Sequence, residues 1–358
     1  MPVFNGERFL REAIDSILSQ TFSDFEFIII NDGSTDGTAS ILDSYVGSDP
    51  RVQVYHQQNK GVIESRNRAC GLARGKYIAQ MDADDVAVRD RLQWQIEFME
   101  RHAEIGVVGG AVELIDSTGR ALHCMRYPVE NEEIKRALLL HNTLASPAVV
   151  IRKEAVLSVG GYRRPFHRAE DYDLWLRIAE RWRLANLEAV VLKYRIHPDQ
   201  ASCQKLSEET LCVLAAQALA SLRRDGRPEP VISDERITPE VLARLGMDHA
   251  TQQRALAAPY AYWIGLMSRA SQDDAVLRLF DELIDLSRSG PVDKPALSNA
   301  MLSVARTHYR RGRPLRALVY VGRALLARPV VAGRPLKRAL NSFFRALKRE
   351  EGRGYQKV

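Results

Sequence analysis

Over residues 7–20 the apolar side chains Phe9, Leu10, Ala13, Ile14, Ile17 and Leu18 recur every three or four positions, the spacing of one helical face. The next apolar run, "FEFIIIN" over 25–31, has no such gaps. Continuous apolarity of that length is expected of a strand covered on both sides in a parallel sheet. A turn, "NDGSTDG", leads to a helix over 38–46, a strand "RVQVYH" over 51–56 and a helix around "ESRNRACGLA". A short strand over 76–81 follows, with Tyr77, Ile78 and Met81 as its apolar positions. This β-α-β-α-β order predicts an α/β fold, a mostly parallel sheet with helices on both faces. A helix over 89–102 and a strand "IGVVGGAVELID" come next, and up to about 198 strands and helices mix less regularly. Beyond 207 the periodicity is helical throughout, broken at "GRPEP" and "GPVDKP". A boundary is therefore expected near 200–207, between an α/β domain over 1–206 and an all-α region over 207–358.

Composition narrows the class. At 358 residues, 46% apolar and 27% charged, the chain has the make-up of a globular protein with a substantial core. It has no apolar run of the roughly 20 residues a membrane-spanning helix needs, and no secretory signal pattern at its start. Its four cysteines are scattered, which argues against a zinc or disulfide framework and suits a reducing cytoplasm. Charge is lopsided: residues 300–358 hold 15 Lys and Arg against 2 acids, the remainder 36 against 43. Such a tail suggests an anionic partner. No nucleic-acid-binding motif accompanies the charges, so nucleic acid is not the expected one.

Polar clusters fall at the ends of the predicted strands, where open α/β sheets bind ligands: Asn5-Gly6, "NDGS" over 31–34, and "DADD" over 82–85. Three carboxylates in four positions repel one another unless a cation neutralises them. Mg²⁺ or Mn²⁺ suits hard oxygen ligands and can reach a protein through one or two side chains while phosphates supply the rest. Taken alone, the motif reads more readily as a polar turn capping a helix. A second acidic group, "EDYDLW" over 170–175, opens a partly apolar helix, where the helix dipole by itself favours acids by about 0.3–1 kcal/mol each.

Taken together in order, "MPVFNGERFLREAIDSILSQTFSDFEFIIINDGSTDGT", "NKGVIESRNRACGLARGKYIAQMDADD", "AEDYDLWLRIAE" and "YRIHPDQAS" resemble the family 2 glycosyltransferases over residues 1–202. The resemblance implies the GT-A fold, Rossmann-like, here followed by an all-α C-terminal region. It implies transfer of a sugar from a UDP-, GDP- or dTDP-linked donor to a glycan or lipid-linked acceptor hydroxyl, with inversion, in cell-surface polysaccharide or glycolipid synthesis. By position, Pro2, Val3 and Phe4 match the wall of the base pocket, and Asp32 matches the acid that binds the base, although an Asx turn would also favour it. Arg66 matches an arginine near the nucleotide. Asp82 matches the DxD acid near the ribose and Asp84 the metal ligand, with Asp82 itself, Asp85 and His197 as further candidates for the metal. Asp171 matches the general base and Glu170 an acceptor-binding residue; Asp173 decorates the helix. Family members usually have more apolar residues ahead of the "MPVFNG" equivalent. That leaves two readings: a natural start upstream, or a sheet with a truncated first strand. No GxGxxG follows the opening strand, which argues against a dinucleotide-dependent oxidoreductase. A non-catalytic nucleotide-sugar-binding scaffold is the alternative.

Two features stand outside the resemblance. Residues 296–329 look like one helix-turn-helix unit of the tetratricopeptide kind, without a second copy at a fixed period. "PLKRALNSFFRALKR" over 335–349 is apolar on one face and cationic around it. This fits a helix lying on an anionic membrane surface, peripheral at the inner face of the plasma membrane, and equally a helix docked on its predecessors.

Overall fold

The computed structural model describes residues 1–232 and 236–327. The alternating segment forms β1 (Pro2–Val3), α1 (Leu10–Leu18), β2 (Phe27–Asp32), α2 (Thr38–Tyr45), β3 (Val52–Gln57), α3 (Val62–Leu72) and β4 (Tyr77–Ala79). Next come β5 (Val86–Ala87), α4 (Arg91–Arg101), β6 (Ile105–Asp116), β7 (Ala121–Met125), α5 (Asn131–Leu138), β8 (Val150–Arg152), α6 (Lys153–Ser158), α7 (Glu170–Ala179) and β9 (Arg183–Ile196). The helices α8 (Leu206–Arg224), α9 (Pro239–Arg244), α10 (His249–Arg269), α11 (Asp273–Ser289), α12 (Lys294–Arg310) and α13 (Pro314–Ala327) complete it.

The strands β1, β2 and β3 form a parallel sheet, with Pro2 opposite Ile30 and Phe27 opposite Val52. Every residue of β2 is buried, as its unbroken apolar run requires. The second sheet runs β4-β8-β6-β9-β5, with β7 added to β6. Here β6 and β9 are parallel and the other ladders antiparallel. The sequence order suggested that β4 would extend the parallel set. It is three residues long and takes its hydrogen bonds from β8 instead, Tyr77 opposite Arg152. Gly109 and Gly110 allow close approach inside this sheet: a Cβ on Gly109 would lie 2.2 Å from Asn186 Oδ1, and one on Gly110 2.7 Å from Val191 Cγ1.

The chain separates into two compact units, 1–252 and 253–358. The change to helical sequence near 206 does not coincide with that division, which falls within α10. The physical reason is apolar burial: Cys212, Ala215, Ala216 and Leu219 of α8 share one core with Leu174, Trp175 and Ile178 of α7, Val107 of β6 and Ile151 of β8. In the second unit, α12 and α13 form the expected helix pair, with Ala300, Val304, Ala317 and Ala324 buried and His308 stacked on Tyr320 at 5.3 Å. The basic amphipathic segment 335–349 lies outside the described residues.

Candidate functional site

The strand before the acidic loop ends at Ala79, so Asp82, Asp84 and Asp85 all sit in the connection from β4 to β5. They face three ways. Asp82 Oδ1 accepts from Arg66 Nη2 at 3.3 Å. Asp84 Oδ2 lies 3.0 Å from His197 Nε2. Asp85 turns inward: its Oδ1 accepts from the Arg195 backbone N–H at 2.8 Å, and its buried Oδ2 has no partner among the described residues. Burial pushes the Asp85 carboxyl well up, with Asp84 and Asp82 adding to the effect. Asp85 is thus a support beneath the loop rather than a ligand on its surface.

That support extends through residues that the sequence did not single out. Arg195, 2% exposed, donates from Nε to the Asp84 carbonyl at 2.8 Å and from Nη2 to Glu12 at 2.6 Å, and lies over the Phe9 ring. Arg91 is fully buried and donates to the carbonyls of Gln80 and Val149; burial lowers its pKa to about 10. β9 also carries Arg183, Glu188 and Lys193, so nothing in its sequence singles out Arg195.

Arg66 of α3 joins the two acidic motifs. Its side chain is 10% exposed, and Nη1 lies 3.3 Å from Glu170 Oε1 while Nη2 reaches Asp82. Nη1 also donates to Ser146 Oγ at 2.9 Å; Ser146 donates to Gln80, which donates to Tyr162. Burial works against the Arg66 charge, but Glu170 and Asp82 outweigh it and hold its pKa above the usual value. Burial pushes Glu170 up to about 7, Arg66 opposing and Asp171 adding. Asp171 is raised by burial as well, against Arg66; its Oδ2 accepts from Asn142 at 3.3 Å. Asp173 is no decoration. It is 1% exposed and paired with Arg163 and Arg177.

On the expected nucleotide side, Pro2 is half-buried, Val3 is buried and Phe4 is 52% exposed. Both Asp32 oxygens are engaged: Oδ1 accepts from Gln57 and from the Lys60 N–H, and Oδ2 from the Gly61 N–H at 2.8 Å. Asp32 therefore pins the turn ahead of α3. Gly33 beside it has φ +76°, and a Cβ there would come within 2.7 Å of Asn59 N.

Among the described residues no three His, Cys, Asp or Glu side chains converge to hold a metal unaided. Asp84 Oδ2 and His197 Nε2 do face each other, and the buried His197 Nδ1 has no partner among the described residues. One carboxylate and one imidazole fit a divalent cation whose other ligands come from phosphate and water.

Residues 1–160 match the family described as glycosyl transferase family 2. The O-antigen biosynthesis glycosyltransferase WbnJ of Escherichia coli is 36% identical over 203 residues, which is 55% of this chain and 78% of that protein. This chain belongs to glycosyl transferase family 2. The putative glycosyltransferase EpsE of Bacillus subtilis is similar too, 35% identical over 206 residues, 56% of this chain and 72% of its own. The crystal structure of S. aureus TarS 1-349 in complex with UDP-GlcNAc aligns with a TM-score of 0.51 and 17% identity, covering 90% of this chain and 89% of that one. The fold of this family 2 chain is accordingly GT-A. The segment matched to the family holds Asp32, Arg66 and Asp82 to Asp85; Glu170, Asp171 and His197 lie beyond it.

Proposed function

We propose that the chain is an inverting glycosyltransferase that moves a sugar from a nucleoside diphosphate to an acceptor hydroxyl in the synthesis of a surface polysaccharide or glycolipid. One observation carries the reading: a single guanidinium, Arg66, spans Asp82 and Glu170, so the loop acids and the distant acid pair face one another across it. Asp171 takes the proton from the acceptor hydroxyl as that oxygen bonds to the anomeric carbon. The bond from that carbon to the diphosphate breaks on the opposite face, and the nucleoside diphosphate leaves with the electron pair. Positioned proton transfer of this kind is worth about 10²–10⁴ in rate. Asp84 and His197 would hold Mg²⁺ or Mn²⁺, whose charge offsets that of the leaving diphosphate. Asp82 and Arg66 orient the donor, Phe4 and Asp32 border the base, and Glu170 faces the acceptor. The nucleotide-sugar donor is supported by the TarS complex with UDP-GlcNAc, a protein of the same fold.

Incubation with a panel of UDP-, GDP- and dTDP-sugars and Mn²⁺ tests this. Asp171→Asn should lose at least a hundredfold in transfer while donor binding, read by thermal shift, persists. Asp84→Ala should lose both activity and the metal-dependent part of the thermal shift. Full turnover by Asp171→Asn would overturn the assignment of the base.

A further inference from the structure

The connection from α5 to β8 passes Asp171 and is tied down on both sides of that contact. Before it, Tyr172 Oη donates to the Leu138 carbonyl at 2.5 Å, and Gln217 Nε2 of α8 donates to the Leu140 carbonyl at 2.9 Å and to Tyr172 Oη at 3.1 Å. After it, Asn186 Nδ2 of β9 donates to the Thr143 carbonyl at 3.1 Å, and Thr143 and Leu144 are buried. Between these anchors Asn142 uses both ends of its amide. Its Oδ1 accepts from the Leu144 N–H at 3.1 Å, which leaves Nδ2 to donate to Asp171 Oδ2 at 3.3 Å. The other carboxylate oxygen, Asp171 Oδ1, accepts from the Tyr172 N–H at 2.7 Å. Asp171 is therefore gripped at both oxygens, by the start of its own helix and by a side chain 29 positions earlier. Each oxygen has two lone pairs, so a hydroxyl can still donate to Oδ2. The charged and titratable groups that act on Asp171 come from several elements: Arg66 of α3, Asp82 of the β4–β5 connection, Tyr162, Glu170 of α7 and Glu209 of α8. Burial raises the Asp171 carboxyl, and Arg66 and the Asn142 donor oppose the rise.

We propose that Asn142 is a positioning residue for the transfer reaction, aiming the Asp171 carboxylate at the acceptor hydroxyl by donating to its Oδ2. This rests on the reading of Asp171 as the base and deepens it. A carboxylate free to turn about its Cβ–Cγ bond presents its lone pairs in many directions. One held by two donors presents them in one, which preserves the geometry of attack. A donor N–H also favours the anion, the form that accepts a proton. Because Gln217 and Tyr172 hold the loop that carries Asn142, α8 takes part in fixing the base in place.

The test uses the full chain and the donor panel above, with water as the acceptor and release of nucleoside diphosphate as the readout. Asn142→Ala should lower kcat about tenfold, the loss of one hydrogen bond to a charged group, with the donor KM within twofold. Asn142→Asp separates positioning from structure. It still offers an acceptor to the Leu144 N–H, so the loop keeps that anchor, but a second carboxylate replaces the donor to Asp171. It should lower kcat at least as far and move the acidic limb of kcat/KM up by about 1 pH unit or more. Native kcat and an unmoved limb in Asn142→Asp, beside a loss in Asn142→Ala, would mark a structural role and overturn the proposal alone. So would a raised donor KM with native kcat in both variants. Full turnover by Asp171→Asn would remove the base and the positioning role with it. Release from no donor would remove the transferase reading and everything resting on it.

Discussion

Arg66 sets the charge of the centre. It is the cation shared by Asp82 and Glu170, and it opposes the upward push of burial on Asp82, Glu170 and Asp171 alike. A base must be ionised to act, and a raised pKa moves the loss of activity to higher pH. The acidic limb of kcat/KM should therefore lie above the free-carboxylate value of about 3.9, in the direction in which burial moves Asp171. Arg66→Gln removes the stabilising charge, so the acids should hold protons more tightly still. The limb should move up by about 1 pH unit or more, as expected for an opposite charge at contact. A pH–rate profile with its acidic limb near 4 in both proteins would contradict the electrostatic account.

Within α7, two acids and a third two residues later have separate employments. Glu170 and Asp171 open the helix at the site, while Asp173 joins Arg163, itself paired with Glu229, and Arg177, which also donates to the carbonyls of Val159 and Gly161. Asp173→Ala would leave two guanidinium groups short of their counter-charge, one of them 8% exposed. A cost of about 3–5 kcal/mol in unfolding free energy is expected, measured by urea titration. The sequence placed all three acids at a helix start, and the helix dipole accounts for that much. It could not say which of them turn inward, because the answer depends on partners from other elements. The strands show the same limit. Runs such as "FEFIIIN" announce β2 by composition, yet nothing in "KYIAQM" says that β4 pairs antiparallel with β8, whose residues lie some 70 positions away.

At the scale of the molecule, apolar burial gives α8 to the first compact unit. A truncation series checks it. Residues 1–252 should melt cooperatively and retain donor turnover, whereas 1–206 should not fold, because the α7 core residues Leu174, Trp175 and Ile178 would lose their α8 cover. Residues 1–334 should fold and lose only salt-sensitive flotation with anionic liposomes, if the segment 335–349 acts at a membrane as its sequence suggests. Among the described residues no helix is long and apolar enough to cross a membrane.

By itself, the sequence determined what is encoded locally: the alternation of strands and helices up to α4, the helical character beyond 206, and the two acidic motifs. Tertiary structure alone decided what each of those acids faces. Asp84 meets His197 from 113 positions away, Asp85 is held by Arg195 from 110, and one arginine of α3 brings Asp82 and Glu170 together. Periodicity reports the face of an element; the charge state and partner of a side chain are set by whatever the fold packs against that face.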